Sequence, residues 1–452
     1  MNNHCFEEIL RDVPAYKRFL KVNEIDSLAY KFEHDSSIEK RLIGQTVEKE
    51  PINMYVMGNG KKTAMIIGVP HSDEPLGSLL TTHFIEWMIT HPEADFFQWR
   101  WLIIPVLERR GMRMNEGWFN GFNSLVNMAK SHFREPVEDQ YEWTFPFKYK
   151  NYQWTCSRPE TDAVKEVLKS EKPELLCGLH HVAFYNTYYY FSRDLPEAYP
   201  KLRELAKTLK LPFSEQAPDV PFGKVLAPGF YQMYGLKDYW DYYSKNEPVK
   251  LSRLKRGACS DEWYEDAIGG FSFNCEVPLF QSPVKKDKDA SERNLDDLLE
   301  NKKRKNLVNM QFYEQLLSKL EPFFALSNPL LLNSLLKSIA SAKVLLEDSA
   351  AKKKKPIEDR KATNFEIFEN DIMADINDLL LLGQIWRTAN YIFSTTKKNQ
   401  TPSLMKMVDQ KMSALAKSIS RRGRFVPIPL QKLVKMQLGS TLIIADVLLN
   451  NL

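Results

Sequence analysis

From about residue 46 to residue 285, short apolar runs alternate with amphipathic segments of helical spacing, and this alternation limits the possible folds more than any other feature of the chain. "INMYVM" and "TAMIIGV" read as strands, and the turn signal "GNGKK" between them predicts a hairpin. The helix-spaced "LGSLLTTHFIEWMITH" follows, then "WRWLIIPVL", a continuous apolar run of the kind buried on both faces of a sheet. "RPETDAVKEVLKSEKP" begins as a helix should, with Pro159 and acidic residues near its first turn. "ELLCGLHHVAF", "TYYYFS" and "GGFSFNCEVPLF" read as further strands, and "EAYPKLRELAKTLK" as a helix. Strands alternating with helices predict an α/β domain built around a largely buried sheet flanked by helices.

The flanks differ. Residues 1–45 read as a mostly helical lead-in. Residues 286–304, within "VKKDKDASERNLDDLLENKKRKN", are charged and polar and read as a linker or a solvated helix face. Residues 305–452 are leucine-rich with helical spacing and no strand-like alternation, which predicts a separate all-helical domain. The run "KKKKP" at Lys352 reads as a solvated loop, with a phosphate- or acid-binding patch as the sharper alternative.

Charge is close to balance, with 62 basic against 58 acidic residues, which argues against nucleic acid as the main partner. No window reads as an uninterrupted apolar span, so no membrane partner is expected. The N-terminal "MNNHCFEEILRDVPAYKRFL" lacks the basic start, apolar core and cleavage site of a signal peptide. Five scattered cysteines without CxxC spacing read as reduced thiols, and the expected location is cytoplasmic.

Three chain-distant pieces hold the candidate chemistry. His71 and Glu74 follow the strand "TAMIIGV", His180 ends the run "ELLCGLH", and Glu276 interrupts the apolar strand "FSFNCEVP". Ligand sites of open α/β sheets collect beyond the carboxyl ends of strands. Two imidazoles and a carboxylate supply three ligands of a catalytic zinc, and a second carboxylate takes a proton from water. The plainer readings are a turn histidine at 71, a helix N-terminal charge at 74 and a satisfied core histidine at 180. An ionised Glu276 in a buried strand needs a partner on either reading.

The set "PHSDE", "RPETDAVKEVLKSEKPELLCGLHH" and "FNCEVP", in that order, resembles the zinc carboxypeptidase family over roughly residues 50–285. In that family an HxxE follows a strand, a third histidine ends a later strand after a P-E-x-x-A helix, and a glutamate lies on a late strand. The resemblance implies a mixed α/β sheet of the zinc carboxypeptidase, phosphorylase/hydrolase-like kind. It implies zinc held by His71, Glu74 and His180, with Glu276 as general base and proton donor acting on a water that the metal activates. Adjacent strand residues point to opposite faces, so only one of His180 and His181 should face the metal, and the family's L-H at the strand end favours His180.

The family's usual "NPDG" is replaced by "ERRG" at Glu108 to Gly111, while "MRMNEGWF" resembles the R-x-N-x-G-W of a bacterial subgroup. By that likeness Arg113 is the candidate for stabilising an oxyanion or holding a substrate carboxylate. Arg109, Arg110 and Arg134 are its rivals, and a structural ion pair is the alternative for each. Tyr231, Tyr234, Tyr243 and Tyr264 are candidates for an assisting tyrosine. The implied activity is hydrolysis of a peptide or peptide-like amide bond. An aspartoacylase- or succinylglutamate-desuccinylase-like deacylase acting on acylated amino acids is the enzymatic alternative. A non-catalytic binding protein that kept the fold is the third reading.

Overall fold

The computed structural model describes residues 3–33, 35–92, 94, 98–120, 124–214, 220–246, 251, 254–351, 360–396 and 400–450. The basic run at Lys352 lies outside the described residues. The chain forms a mixed α/β sheet flanked by helices, together with a helical region.

The sheet's strands, in chain order, are β1 (Ile38–Gln45), β2 (Pro51–Met57), β3 (Lys62–Ile67), β4 (Trp99–Ile104), β5 (Leu175–Gly178), β6 (Tyr188–Phe191), β7 (Val225–Ala227), β8 (Phe230–Gln232) and β9 (Phe271–Pro278). Their spatial order is β1-β2-β4-β3-β5-β9-β6-β8-β7, and the short piece His181–Val182 also pairs with β9. The central strands β4, β3, β5 and β9 run parallel, while β2 is antiparallel to both of its neighbours, β1 and β4. β4 lies between β2 and β3, so the expected hairpin does not form and each of its strands pairs with β4 instead. A crossover through the helix Leu76–Thr90 links β3 to β4, as parallel neighbours require. The lead-in also holds a strand: β1 carries Glu39, Lys40 and Arg41 in succession, lacks the alternation of a half-buried strand and is partly exposed along its length, as its edge position allows.

Alternation along the strands builds two cores. Met65, Ile67, Leu102, Ile104 and Leu176 pack on one face with Val164 and Leu168 of the helix Pro159–Glu171 and Tyr264 of the helix Ser260–Ile268. On the other face Trp101 meets Phe84 of Leu76–Thr90, with ring centroids 5.1 Å apart. The helix Leu430–Asn450 covers the same face, with Thr441 Oγ1 3.6 Å from Cys177 Sγ.

Two compact units emerge, and neither is one continuous stretch. The first comprises Met1–Arg113, Val137–Gln281 and Pro427–Leu452, and the second Met114–Pro136 and Ser282–Val426. The division expected at residues 285 and 305 therefore does not coincide with the compact units, because the last helix belongs with the sheet. The charged stretch 286–304 is ordered as a strand, Ala290–Asn294, and the start of the helix Leu295–Leu320. Asn294 caps that helix by accepting from the backbone N–H groups of Asp296 and Asp297. In the second unit Gly383 approaches the backbone of Ala129 so closely that a Cβ there would lie 1.9 Å from the Ala129 carbonyl oxygen. Arg387 donates to the carbonyls of Ser131 and His132 at 2.8 and 3.3 Å, which fixes the inserted segment 114–136 within that unit.

Among the described residues two helices, Pro329–Glu347 and Leu430–Asn450, are long and apolar enough, by length and composition, to cross a membrane. The second is 78% buried, as befits a helix covering a sheet.

Candidate metal centre

β3 ends in an abrupt turn. Val69 is fully buried with φ of +53°, a left-handed conformation that β-branched residues rarely adopt. Backbone bonds hold it there: Leu107 N–H donates to Gly68 O at 3.0 Å and Glu108 N–H to Val69 O at 3.1 Å. The strain sits where the chain leaves the sheet for His71 and Glu74. Those two close a turn of their own, Glu74 N–H to His71 O at 3.0 Å, just before the helix starts at Leu76.

His180 arrives from the neighbouring strand. β5 pairs with β9 up to Gly178 opposite Asn274, and pairing resumes with His181 opposite Val277. The register thus sets His180 beside Glu276 in the intervening gap. Glu276 is the one partly exposed residue of a strand otherwise buried from end to end. Gly178 clears room for the imidazole, since a Cβ there would lie 2.9 Å from both His180 Nε2 and Asn274 Oδ1.

His71, Glu74 and His180 each offer a ligand atom, all within 4.8 Å of one another and all buried. The two imidazole rings lie 5.0 Å apart, and His180 Nδ1 is 3.0 Å from Glu74 Oε2. Glu74 Oε2 also accepts from the His181 backbone N–H at 3.2 Å. Of the adjacent histidines it is therefore His180 whose ring joins the cluster, and His181 contributes its backbone. Two imidazole nitrogens and one carboxylate oxygen form a donor set that fits zinc and leaves a position for water or substrate.

Charge in this pocket is dominated by acids. Burial pulls the His180 pKa down, but the charge and hydrogen bond of Glu74, with the charges of Glu276 and Glu142, outweigh it and push the imidazole up to about 10. Behind His180, Asn274 Nδ2 donates to Asp261 Oδ2 at 3.3 Å, and Ser260 Oγ donates to Glu142 Oε1 at 2.7 Å. Glu142 and Asp261 are both buried, and with Cys259 they form a second cluster of ligand-type atoms. Burial, reinforced by the charge of Asp261, pushes Glu142 up to about 7. Because its folded pKa lies above the ordinary carboxyl value, Glu142 stabilises the fold when protonated and penalises it increasingly as pH rises from about 4.5 to 7. Glu142→Gln keeps the Ser260 contact without the charge. Its melting temperature should match wild type near pH 4.5 and exceed it at pH 8; a gap that stays constant with pH would refute the buried-charge account.

On the other side, His71 stacks beside Trp143, centroids 6.5 Å apart at 24°. The Arg256 guanidinium lies 4.4 Å from the centroid of the same indole and 5.4 Å from that of Tyr239. Neither Arg256 nor Glu142 was a sequence candidate. Glu142 stands in the aromatic-rich run 141–154 and Arg256 in the basic run "KLSRLKRG", and neither stretch carries a diagnostic spacing.

Arg113 is engaged by neighbouring polar groups. Its guanidinium donates to Glu50 at 3.1 Å and to Asn23 Oδ1 at 2.5 Å, so its contacts are those of a structural ion pair. Arg109 pairs with Asp26 at 2.8 Å and Glu50 at 3.0 Å, and Arg110 pairs with Glu48. Tyr264 donates its hydroxyl to Pro173 O at 2.6 Å, and Tyr231 packs in the core with Tyr188 and Tyr190.

No protein-family model matches the chain, and no curated protein does. Solved structures resemble parts of it. A Shewanella baltica protein provisionally named a metallopeptidase is 12% identical, with a TM-score of 0.40 over 57% of this chain and 84% of its own. A metallo-carboxypeptidase from Burkholderia cenocepacia is 14% identical, with a TM-score of 0.35 over 57% of this chain and 60% of its own. Bovine thrombin-activatable fibrinolysis inhibitor, solved with a tick carboxypeptidase inhibitor, is 14% identical, with a TM-score of 0.32 over 60% of this chain and 89% of its own.

Proposed function

We propose that this chain is a zinc-dependent hydrolase of the carboxypeptidase type, cleaving a peptide or peptide-like amide bond. The observation that carries the reading is the convergence of His71, Glu74 and His180 from two strand ends, with Glu276 set beside His180 by the register. A zinc ion held by the three would polarise the scissile carbonyl and make a nearby water more acidic. Glu276, the partly exposed carboxyl group of β9, accepts the proton of the attacking water and returns it to the departing nitrogen. Trp143 walls the His71 side, and Arg256 on the same indole orients an anionic group of the substrate. Arg113, held by Glu50 and Asn23, is not assigned a part in the reaction.

Metal analysis of wild type and His71→Ala, followed by a substrate panel, tests this. About one zinc per chain is expected in wild type, lost from the variant on dialysis. Turnover of peptides with a free carboxyl terminus supports the carboxypeptidase reading. Turnover of acylated amino acids alone would move the assignment to a deacylase. Zinc without turnover of either class would leave a binding protein, and a wild type that takes up no zinc would end the metal reading.

A further inference from the structure

The helix Leu430–Asn450 is buried and largely apolar, yet it carries Gln437, Ser440 and Thr441, spaced i, i+3 and i+4 and fully buried. Such spacing places all three on one helix face, and their partners show that the face lies on the sheet. Ser440 Oγ is 2.8 Å from the Tyr189 hydroxyl and 3.7 Å from Cys275 Sγ, and Thr441 Oγ1 reaches Cys177 Sγ. Gln437 does something different. Its side-chain amide donates to the backbone carbonyl of His180 and, at 3.2 Å, to that of Cys275.

Those two carbonyls belong to the interruption between β5 and β9. Ladder pairing stops at Gly178 and resumes at His181, so Leu179 and His180 are not held to β9 by regular strand pairing. His180 brings the third ligand atom, and Cys275 immediately precedes Glu276. An amide NH2 has two protons, and Gln437 places one on each side of the gap.

We propose that Gln437 is a positioning residue that sets the His180 imidazole and the Glu276 carboxylate in register by bridging the backbone beneath both, an inference that rests on the metal-site reading above. It touches no reacting atom. Its effect comes from replacing the missing ladder bonds with a side chain from a helix remote in sequence. Partners outside the immediate ligands commonly change metal affinity about 10- to 100-fold when removed.

Gln437→Met keeps length and burial but has no donor, and Ser440→Ala removes a contact of the same helix that does not reach His180. Three readouts apply to each full-length protein: zinc affinity against a chromophoric chelator, the visible spectrum of the cobalt-substituted site, and the His180 imidazole resonances without metal. Gln437→Met is expected to weaken zinc binding about 10- to 100-fold, alter the cobalt spectrum and shift the His180 resonances. Ser440→Ala is expected to leave all three as in wild type. Should Gln437→Met fail to fold, Gln437→Asn keeps the amide on a shorter arm and is expected to move the same readouts to a smaller extent. Wild-type affinity, spectrum and resonances in a folded Gln437 variant would overturn the proposal, as would equal changes in Ser440→Ala, which would make the effect general helix packing. A wild type that binds neither zinc nor cobalt overturns the metal reading instead, and the metal-free resonances then still decide whether Gln437 positions His180.

Discussion

Glu276→Gln is expected to lower turnover by about 100- to 10,000-fold, the usual contribution of a general base, while zinc stays bound. The substitution is nearly isosteric, and the only partly exposed side chain of β9 remains where it was, so neither the core nor the strand pairing has reason to change. What is lost is the negative charge and the ability to take a proton from water. KM should change little, because the three ligands and the Trp143 and Arg256 wall are untouched. A second signature separates this from misfolding. The charge of Glu276 helps hold His180 in its protonated form, so in the metal-free variant the imidazole should lose its proton at a lower pH than in wild type. Turnover within a few-fold of wild type, with zinc retained, would remove Glu276 from the chemistry. Loss of zinc together with turnover would make it a ligand or a support instead.

Much of the site is legible in the chain because strand ends are legible. An apolar run that stops at Pro70-His71 and another that stops at His180 announce side chains beyond the edge of a buried sheet, and both end there. The order of strands is a different matter. β2 and β3 are joined by an excellent turn sequence, yet pairing is set by which apolar faces can be covered, and β4 takes the place between them. At Arg113 motif likeness leaves an ion pair open as the alternative role, and the partners that form it, Glu50 and Asn23, lie far from it in sequence. The last helix shows the limit of composition. Its leucines match those of the helices before it, and only the buried stripe of Gln437, Ser440 and Thr441 marks it as covering a polar break in a sheet. Asn294, followed by Leu295, Asp296 and Asp297, is the reverse case, a helix start written in capping residues inside a stretch whose charge suggests a linker.

Zinc affinity is expected to rise roughly tenfold per pH unit from about pH 7 to about pH 10 and then level off, because metal and proton compete for His180. Without metal, the imidazole is pushed up to about 10, and its Nδ1 lies 3.0 Å from Glu74 Oε2, so near neutral pH the imidazole holds its second proton. The sign follows from the raised value. In the metal-free protein the pair stabilises the fold in full below the ordinary histidine range near 6.5, and that contribution is lost as pH climbs through about 10. A ligand histidine must be neutral, so binding near pH 7.5 should release about one proton, which calorimetry in buffers of different ionisation heat reads directly. Glu74→Gln removes the largest influence that raises the imidazole's pKa and also one ligand charge, so it should bind zinc more weakly and with a flatter pH slope. The two effects separate by slope and intercept. An affinity independent of pH between 7 and 9, with no proton released, would mean that His180 is already neutral, and the proton would not be the stand-in for the metal between His180 and Glu74.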